Sequence, residues 1–138
     1  MSLLSQNPAT GEEIRRYSLH SSEEVDRRLA RAASGFATNR DRSFSERANR
    51  LTRLADLLED RAASYGALMT KEMGKPVSQA EAEAEKCAWV CRYYAEHGAD
   101  FLADEPVETD AAKSYVAYEP LGPILAIMPW NFPFWQLF

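Results

Sequence analysis

Three stretches of the chain repeat apolar residues at the three- and four-residue spacing of a helix face. In the first, Val25, Leu29, Ala32 and Phe36 follow Ser21 and Glu24. That pair reads as a capping box, in which each side chain satisfies the other's free backbone N–H. The pattern predicts an amphipathic helix ending near Asn39. In the second, Ser43 and Glu46 repeat the capping signal, and Ala48, Leu51, Ala55, Leu58, Ala62 and Tyr65 form the clearest apolar stripe. Glu59-Asp60-Arg61 can hold a break, so one long helix or two successive ones both fit. Gly74 and Pro76 stop the pattern, glycine as a left-handed cap and proline as a barrier to continuation. The third runs from about Val77 to Leu102, with Ala80, Ala84, Cys87, Cys91 and Tyr94 on one stripe. Small residues there suit close packing against another element, and Glu81, Glu83 and Glu85 are expected to face mostly solvent.

The remaining stretches read as strands and turns. Leu3–Gln6 and Glu12–Tyr17 flank Asn7-Pro8-Ala9-Thr10-Gly11, which predicts a hairpin. Val107–Thr109 and Lys113–Glu119 surround Asp110-Ala111-Ala112, a second candidate hairpin turn. There Ser114, Val116 and Tyr118 alternate with Tyr115, Ala117 and Glu119, the period of a strand. Ile124–Met128 is a continuous apolar run opened by Gly122-Pro123 and closed by Pro129. Such a run suits a strand covered on both faces, as at the start of a parallel α/β sheet. Directly after it stands Asn131 between Trp130 and Phe132. Ligands gather at the carboxyl ends of strands in open α/β sheets. The Asn131 amide therefore has two readings: a donor to a substrate or anion, or a hydrogen bond within the turn between two prolines.

Composition narrows the classes. The 138 residues are 46% hydrophobic and 27% charged, a globular balance with enough chain for a real core. The net charge of -5 comes with no basic stripe, which argues against nucleic acid and anionic membrane as partners. No apolar run reaches bilayer length. The start of the chain lacks the basic region and apolar core of a signal peptide, and two cysteines without an export signal suggest reduced thiols and a cytoplasmic protein. Cys87 and Cys91 share a helix face, but with His97 they fall short of the four ligands of a closed zinc site, so no metal is expected. Lys75 offers an amine, yet nothing in the pattern suggests a pocket that would lower its pKa. There is no internal repeat, low-complexity tract or evident linker.

Pro120-Leu-Gly-Pro-Ile-Leu-Ala-Ile-Met-Pro-Trp-Asn-Phe-Pro133 resembles the NAD(P)-dependent aldehyde dehydrogenases, as do Asn7-Pro-Ala-Thr-Gly-Glu12 and Glu72-Met-Gly-Lys-Pro76. Phe134-Trp135-Gln136 is most similar to the succinate-semialdehyde dehydrogenase branch. The resemblance runs from Asn7 to Phe138 and covers only the amino-terminal part of the family. It implies an α/β fold with a β-hairpin, several helices, an arm hairpin within 106–119 that joins subunits, and the first strand of an incomplete Rossmann-type cofactor domain. Residues 1–138 would together form the amino-terminal part of one such domain. It implies that Asn131 donates to the oxyanion formed when a cysteine attacks the aldehyde. Ile127, Met128, Pro129, Trp130 and Asn131 would lie along the nicotinamide end of NAD or NADP, and Phe132 and Trp135 would line the substrate tunnel. It implies oxidation of a small aldehyde, with succinate semialdehyde the first candidate, to its carboxylate, and a complete enzyme that is a homodimer or homotetramer. The family's nucleophilic cysteine, its water-activating glutamate and the rest of its cofactor site have no match in this chain. Cys87 and Cys91 do not match the nucleophile motif, so the 138 residues alone are expected to be inactive. A non-catalytic helical interaction module and a truncated product are the alternatives.

Overall fold

The computed structural model describes residues 2–138. Strands β1 (Ser2–Gln6) and β2 (Glu13–Ser18) form the expected antiparallel hairpin, with Ser2 opposite Ser18 and an irregularity between Ser5 and Gln6. Its turn closes through Gly11 N–H to Asn7 O, 2.8 Å, with Gly11 at φ 75°, a left-handed conformation that only glycine adopts freely. Ser5 Oγ donates to Glu72 Oε1 at 2.8 Å and ties the hairpin to the helices.

Helix α1 (Ser22–Arg40) is capped by Ser21, whose Oγ accepts the Glu24 N–H at 3.2 Å. The reciprocal half of the predicted box is missing. The Glu24 carboxylate pairs instead with Arg27 and Arg28, one turn on. No residue of α1 is buried, and Leu29 on its predicted inner stripe is 64% exposed. Helix α2 (Phe44–Asp60) carries the complete capping box: Ser43 N–H donates to Glu46 Oε2 at 2.9 Å, and Glu46 N–H to Ser43 Oγ at 3.2 Å. Arg61 ends α2 and begins α3 (Ala62–Met73), so the open choice resolves to two helices. Gly74, at φ 76°, caps α3 as predicted, and α4 (Val77–Phe101) starts after Pro76.

Helix α4 packs against both α2 and α3. Ala55 and Leu58 of α2 meet Cys87, Ala88 and Cys91 of α4 in the buried core. Tyr94, the last residue of the predicted stripe, is exposed. Helices α3 and α4 approach closely at Gly66. A Cβ there would lie 2.5 Å from Glu81 Cγ and 3.1 Å from its backbone nitrogen. Gly66→Ala therefore forces the helices apart, and overpacking of this kind costs about 1–3 kcal/mol. Gly35 on α1 has nothing within 4 Å of an added Cβ. There an alanine gains only the roughly 1 kcal/mol of helix propensity that glycine forgoes. Thermal unfolding is expected to show a lower Tm for Gly66→Ala and a higher one for Gly35→Ala.

Strands β3 (Glu105–Pro106) and β4 (Tyr115–Val116) pair antiparallel; β3 lies before the expected Val107–Thr109, and β4 keeps only two residues of the expected Lys113–Glu119. Pro106 has no N–H to give to a longer ladder. The strand expected over Ile124–Met128 does not form among the described residues: no other strand lies beside it, and Ile124, Leu125 and Ile127 are 81%, 86% and 83% exposed. A strand is completed by the hydrogen bonds of its neighbours, and this segment has none. The chain then turns back, and Phe134, Trp135 and Phe138 pack onto the α2–α4 core. The Phe134 ring lies 5.1 Å from that of Tyr65 between centroids.

Candidate functional site

The site is built on a buried ion pair beneath the turn that carries Asn131. The left-handed cap at Gly74 reverses the chain after α3 and brings Lys75 against the second turn of α4. There its ammonium pairs with Glu83. Lys75 is 8% exposed and Glu83 4%. Glu83 thus does not face solvent, contrary to the sequence expectation. Its spacing carries the signal that was missed: Ala80, Glu83, Ala84 and Cys87 sit at helical intervals on one buried stripe. A carboxylate on such a stripe requires a partner, and Lys75 supplies it.

Glu83 also holds the terminal turn. Its Oε1 accepts the backbone N–H groups of Phe134 and Trp135, each at 3.0 Å. Lys75 Nζ donates to the Asn131 carbonyl at 3.4 Å and sits 4.0 Å from the centroid of the Phe132 ring. Burial alone pushes the Glu83 carboxyl upward. The hydrogen bond from Lys75, the two backbone donors and the ammonium charge together outweigh it, and the carboxyl lies below its ordinary value. Glu83 is therefore an anion with both oxygens engaged.

The backbone of the turn is pinned on both sides of Asn131, while the Asn131 side chain is left free. The turn closes through Phe132 N–H to Pro129 O, 3.3 Å, and Leu137 N–H to Phe134 O, 2.9 Å. Among the described residues the Asn131 carboxamide makes no hydrogen bond, and the residue is exposed. Of the two readings of this amide, the turn does not use it. Phe132 and Trp135 come together in one open pocket of ≈ 290 Å³ with Lys75, Gln79, Ala82, Glu83 and Lys86. Lys86 Nζ lies 3.7 Å from the Trp135 ring centroid. Trp130 points away to the other side, toward Leu68, Met69 and Met73 of α3. Ile127 is fully open, and Met128 and Pro129 are half-buried. Segment 127–131 thus leaves Ile127 and the Asn131 amide exposed, with Met128 and Pro129 half-buried and Trp130 turned toward α3.

The two cysteines are elsewhere in character. Cys87 and Cys91 are buried in the helix interface. Burial, and then the Glu83 charge, push the Cys87 thiol up to about 11, and burial raises Cys91 as well. The thiolate is the nucleophile, so at neutral pH these thiols are inert packing groups. His97 stacks within α4 between Tyr93 and Phe101, with ring centroids 4.7 and 6.1 Å away. Among the described residues, no three His, Cys, Asp or Glu side chains are grouped as metal ligands. No helix among them is long and apolar enough to cross a membrane.

The chain matches the model of the aldehyde dehydrogenase family over residues 2–138. It is 50% identical over 138 residues to a probable succinate-semialdehyde dehydrogenase [NADP(+)] of Synechocystis sp., covering 100% of this chain and 30% of that protein. With succinate-semialdehyde dehydrogenase [NADP(+)] 1 of Mycobacterium tuberculosis it shares 48% identity over 139 residues, 99% of this chain and 30% of the relative. Among solved structures, the succinic semialdehyde dehydrogenase of Streptococcus pyogenes in complex with NADP+ superposes with a TM-score of 0.91 at 32% identity, over 97% of this chain and 30% of that one. The chain thus spans about 30% of the length of the curated relatives it matches.

Proposed function

Because the chain belongs to the aldehyde dehydrogenase family, we propose that it forms the amino-terminal part of an enzyme that oxidises a small aldehyde, with NADP+ or NAD+ and water, to the carboxylate. Succinate semialdehyde is the substrate the reading favours, since relatives at 50% and 48% identity carry that name. Both are named for NADP+, which makes NADP+ the first choice of cofactor. When bound, the cofactor supplies a hydride acceptor. The chain's own residues position and polarise. Ile127, Met128, Pro129, Trp130 and Asn131 lie along the nicotinamide end. Phe132 and Trp135 exclude water beside the aldehyde. Asn131 donates its amide N–H to the aldehyde oxygen as a thiolate adds to the carbonyl carbon and that oxygen becomes anionic. The hairpin β3–β4 belongs, on the same reading, to an arm that extends a sheet across subunits of a homodimer or tetramer and covers its free edge. The enzyme works in the cytoplasm, on soluble small molecules.

The observation that carries the reading is the free Asn131 carboxamide on a turn whose backbone is anchored to α4. The test is turnover of succinate semialdehyde by the complete enzyme, followed as reduced-cofactor absorbance. Preference for an unrelated aldehyde would overturn the substrate, and no cofactor reduction with any aldehyde would overturn the reaction class. The 138 residues alone are expected to give no steady turnover, because their two cysteines are buried and protonated. Turnover abolished by Cys87→Ser or Cys91→Ser in the isolated chain would contradict that.

A further inference from the structure

We infer that Glu83 and Lys75 are positioning residues for the reaction: the buried pair fixes the turn so that the Asn131 amide stands at the developing oxyanion. The inference rests on the oxyanion role proposed for Asn131. It goes further in assigning the catalytic geometry to two charged residues that touch no reacting atom.

The geometry runs as a short relay. Glu83 Oε1 holds the N–H groups of Phe134 and Trp135, and its other oxygen holds Lys75. Lys75 in turn reaches the Asn131 carbonyl, 3.4 Å away. Three backbone groups of the turn thus answer to one carboxylate on α4. A helix is a rigid platform, whereas the turn has no regular hydrogen bonding of its own beyond two closures. The Asn131 side chain adds no anchor. The peptide plane that Lys75 and Glu83 fix therefore sets where the Asn131 side chain starts and how far its amide can reach. An oxyanion donor acts over a narrow range of distance, and a displacement of about 1 Å can cost on the order of 100-fold in rate. Two buried charges are a costly way to anchor a turn if stability were their only purpose, because apolar replacements of the same volume are often as stable.

The test is a double-mutant cycle in the complete enzyme. Glu83→Gln keeps an acceptor for the two N–H groups but removes the charge that holds Lys75. It is expected to lower the acylation rate constant roughly 10- to 100-fold, with the KM for cofactor unchanged. Glu83→Asp restores the charge and should recover part of that loss. In an Asn131→Ala background the same Glu83→Gln change is expected to have almost no further effect, since the group it positions is gone. If instead the two losses multiply, Glu83 acts independently of Asn131 and the inference fails, while the oxyanion role stands. If Asn131→Ala alone leaves acylation unchanged, the oxyanion role itself fails, a distinguishable result. Should Glu83→Gln not fold, Lys75→Met enters the cycle in its place and is read by the same two outcomes.

Discussion

Asn131→Ala in the complete enzyme is expected to lower the acylation rate constant by about 100- to 1000-fold, the usual loss for one oxyanion donor. Cofactor affinity and Tm are expected to stay nearly unchanged. The reason lies in the turn: its closures are backbone to backbone, and the carboxamide has no bond to lose when the side chain is removed. Asn131→Asp is expected to be worse than alanine, because a carboxylate beside the reacting oxygen repels the charge that develops there. A role for the amide in folding predicts the opposite pattern, a clear drop in Tm with near-normal turnover in the protein that remains folded. Rapid-mixing kinetics and a melting curve on one preparation decide between them, and the second pattern would remove the catalytic role of Asn131.

Glu83→Ala is expected to be the most destabilising single change at the site, by about 3–5 kcal/mol, the typical cost of leaving one member of a buried ion pair alone. It strands the Lys75 ammonium and two backbone N–H groups together. Against a total of roughly 5–15 kcal/mol for a domain, that is enough to decide whether the protein is folded. The pH dependence has a definite sign. The folded carboxyl titrates below its ordinary value of 4.5. The unfolded chain therefore takes up its proton first as pH falls, and the stability Glu83 contributes is fully present above that ordinary value and lost as pH drops through the folded one. Urea midpoints at neutral pH and at progressively lower pH should show an acid-dependent loss in the natural chain that is smaller in Glu83→Gln. A parallel loss in both would assign the acid sensitivity to other carboxylates.

Local features of this fold were legible in the sequence because their causes are local. The capping pair Ser43 and Glu46, the cap at Gly74 and the turn around Gly11 each depend on residues within one turn of chain, and each formed as read. The break at Arg61 was visible as a possibility and settled only by packing. The surroundings of Glu83 were half legible. Its place on the Ala80–Ala84–Cys87 stripe was available, but Lys75 lies across a helix start, and Phe134 and Trp135 are brought back from the far end of the chain. Ile124–Met128 and the inner face of α1 failed in a shared way. An apolar pattern states that a surface asks for cover and says nothing of which element provides it. Among the described residues no element does. The motif drew attention to Asn131, whereas the freedom of its side chain was a matter of which groups close the turn.

The packing of α2, α3 and α4 within the span Phe44–Phe101 also sets an order of events. Contacts close in sequence require little loop closure and form early, and helical units rich in them fold fast. The grip of Glu83 on Phe134 and Trp135 closes a loop some fifty residues long, so it is expected to form on the late side of the folding barrier. Interactions made after the barrier govern how fast the native state comes apart, not how fast it forms. Contact order thus predicts that the helical trio assembles before the turn is gripped, and that the ion pair beneath Asn131 governs how long the turn stays in place once formed.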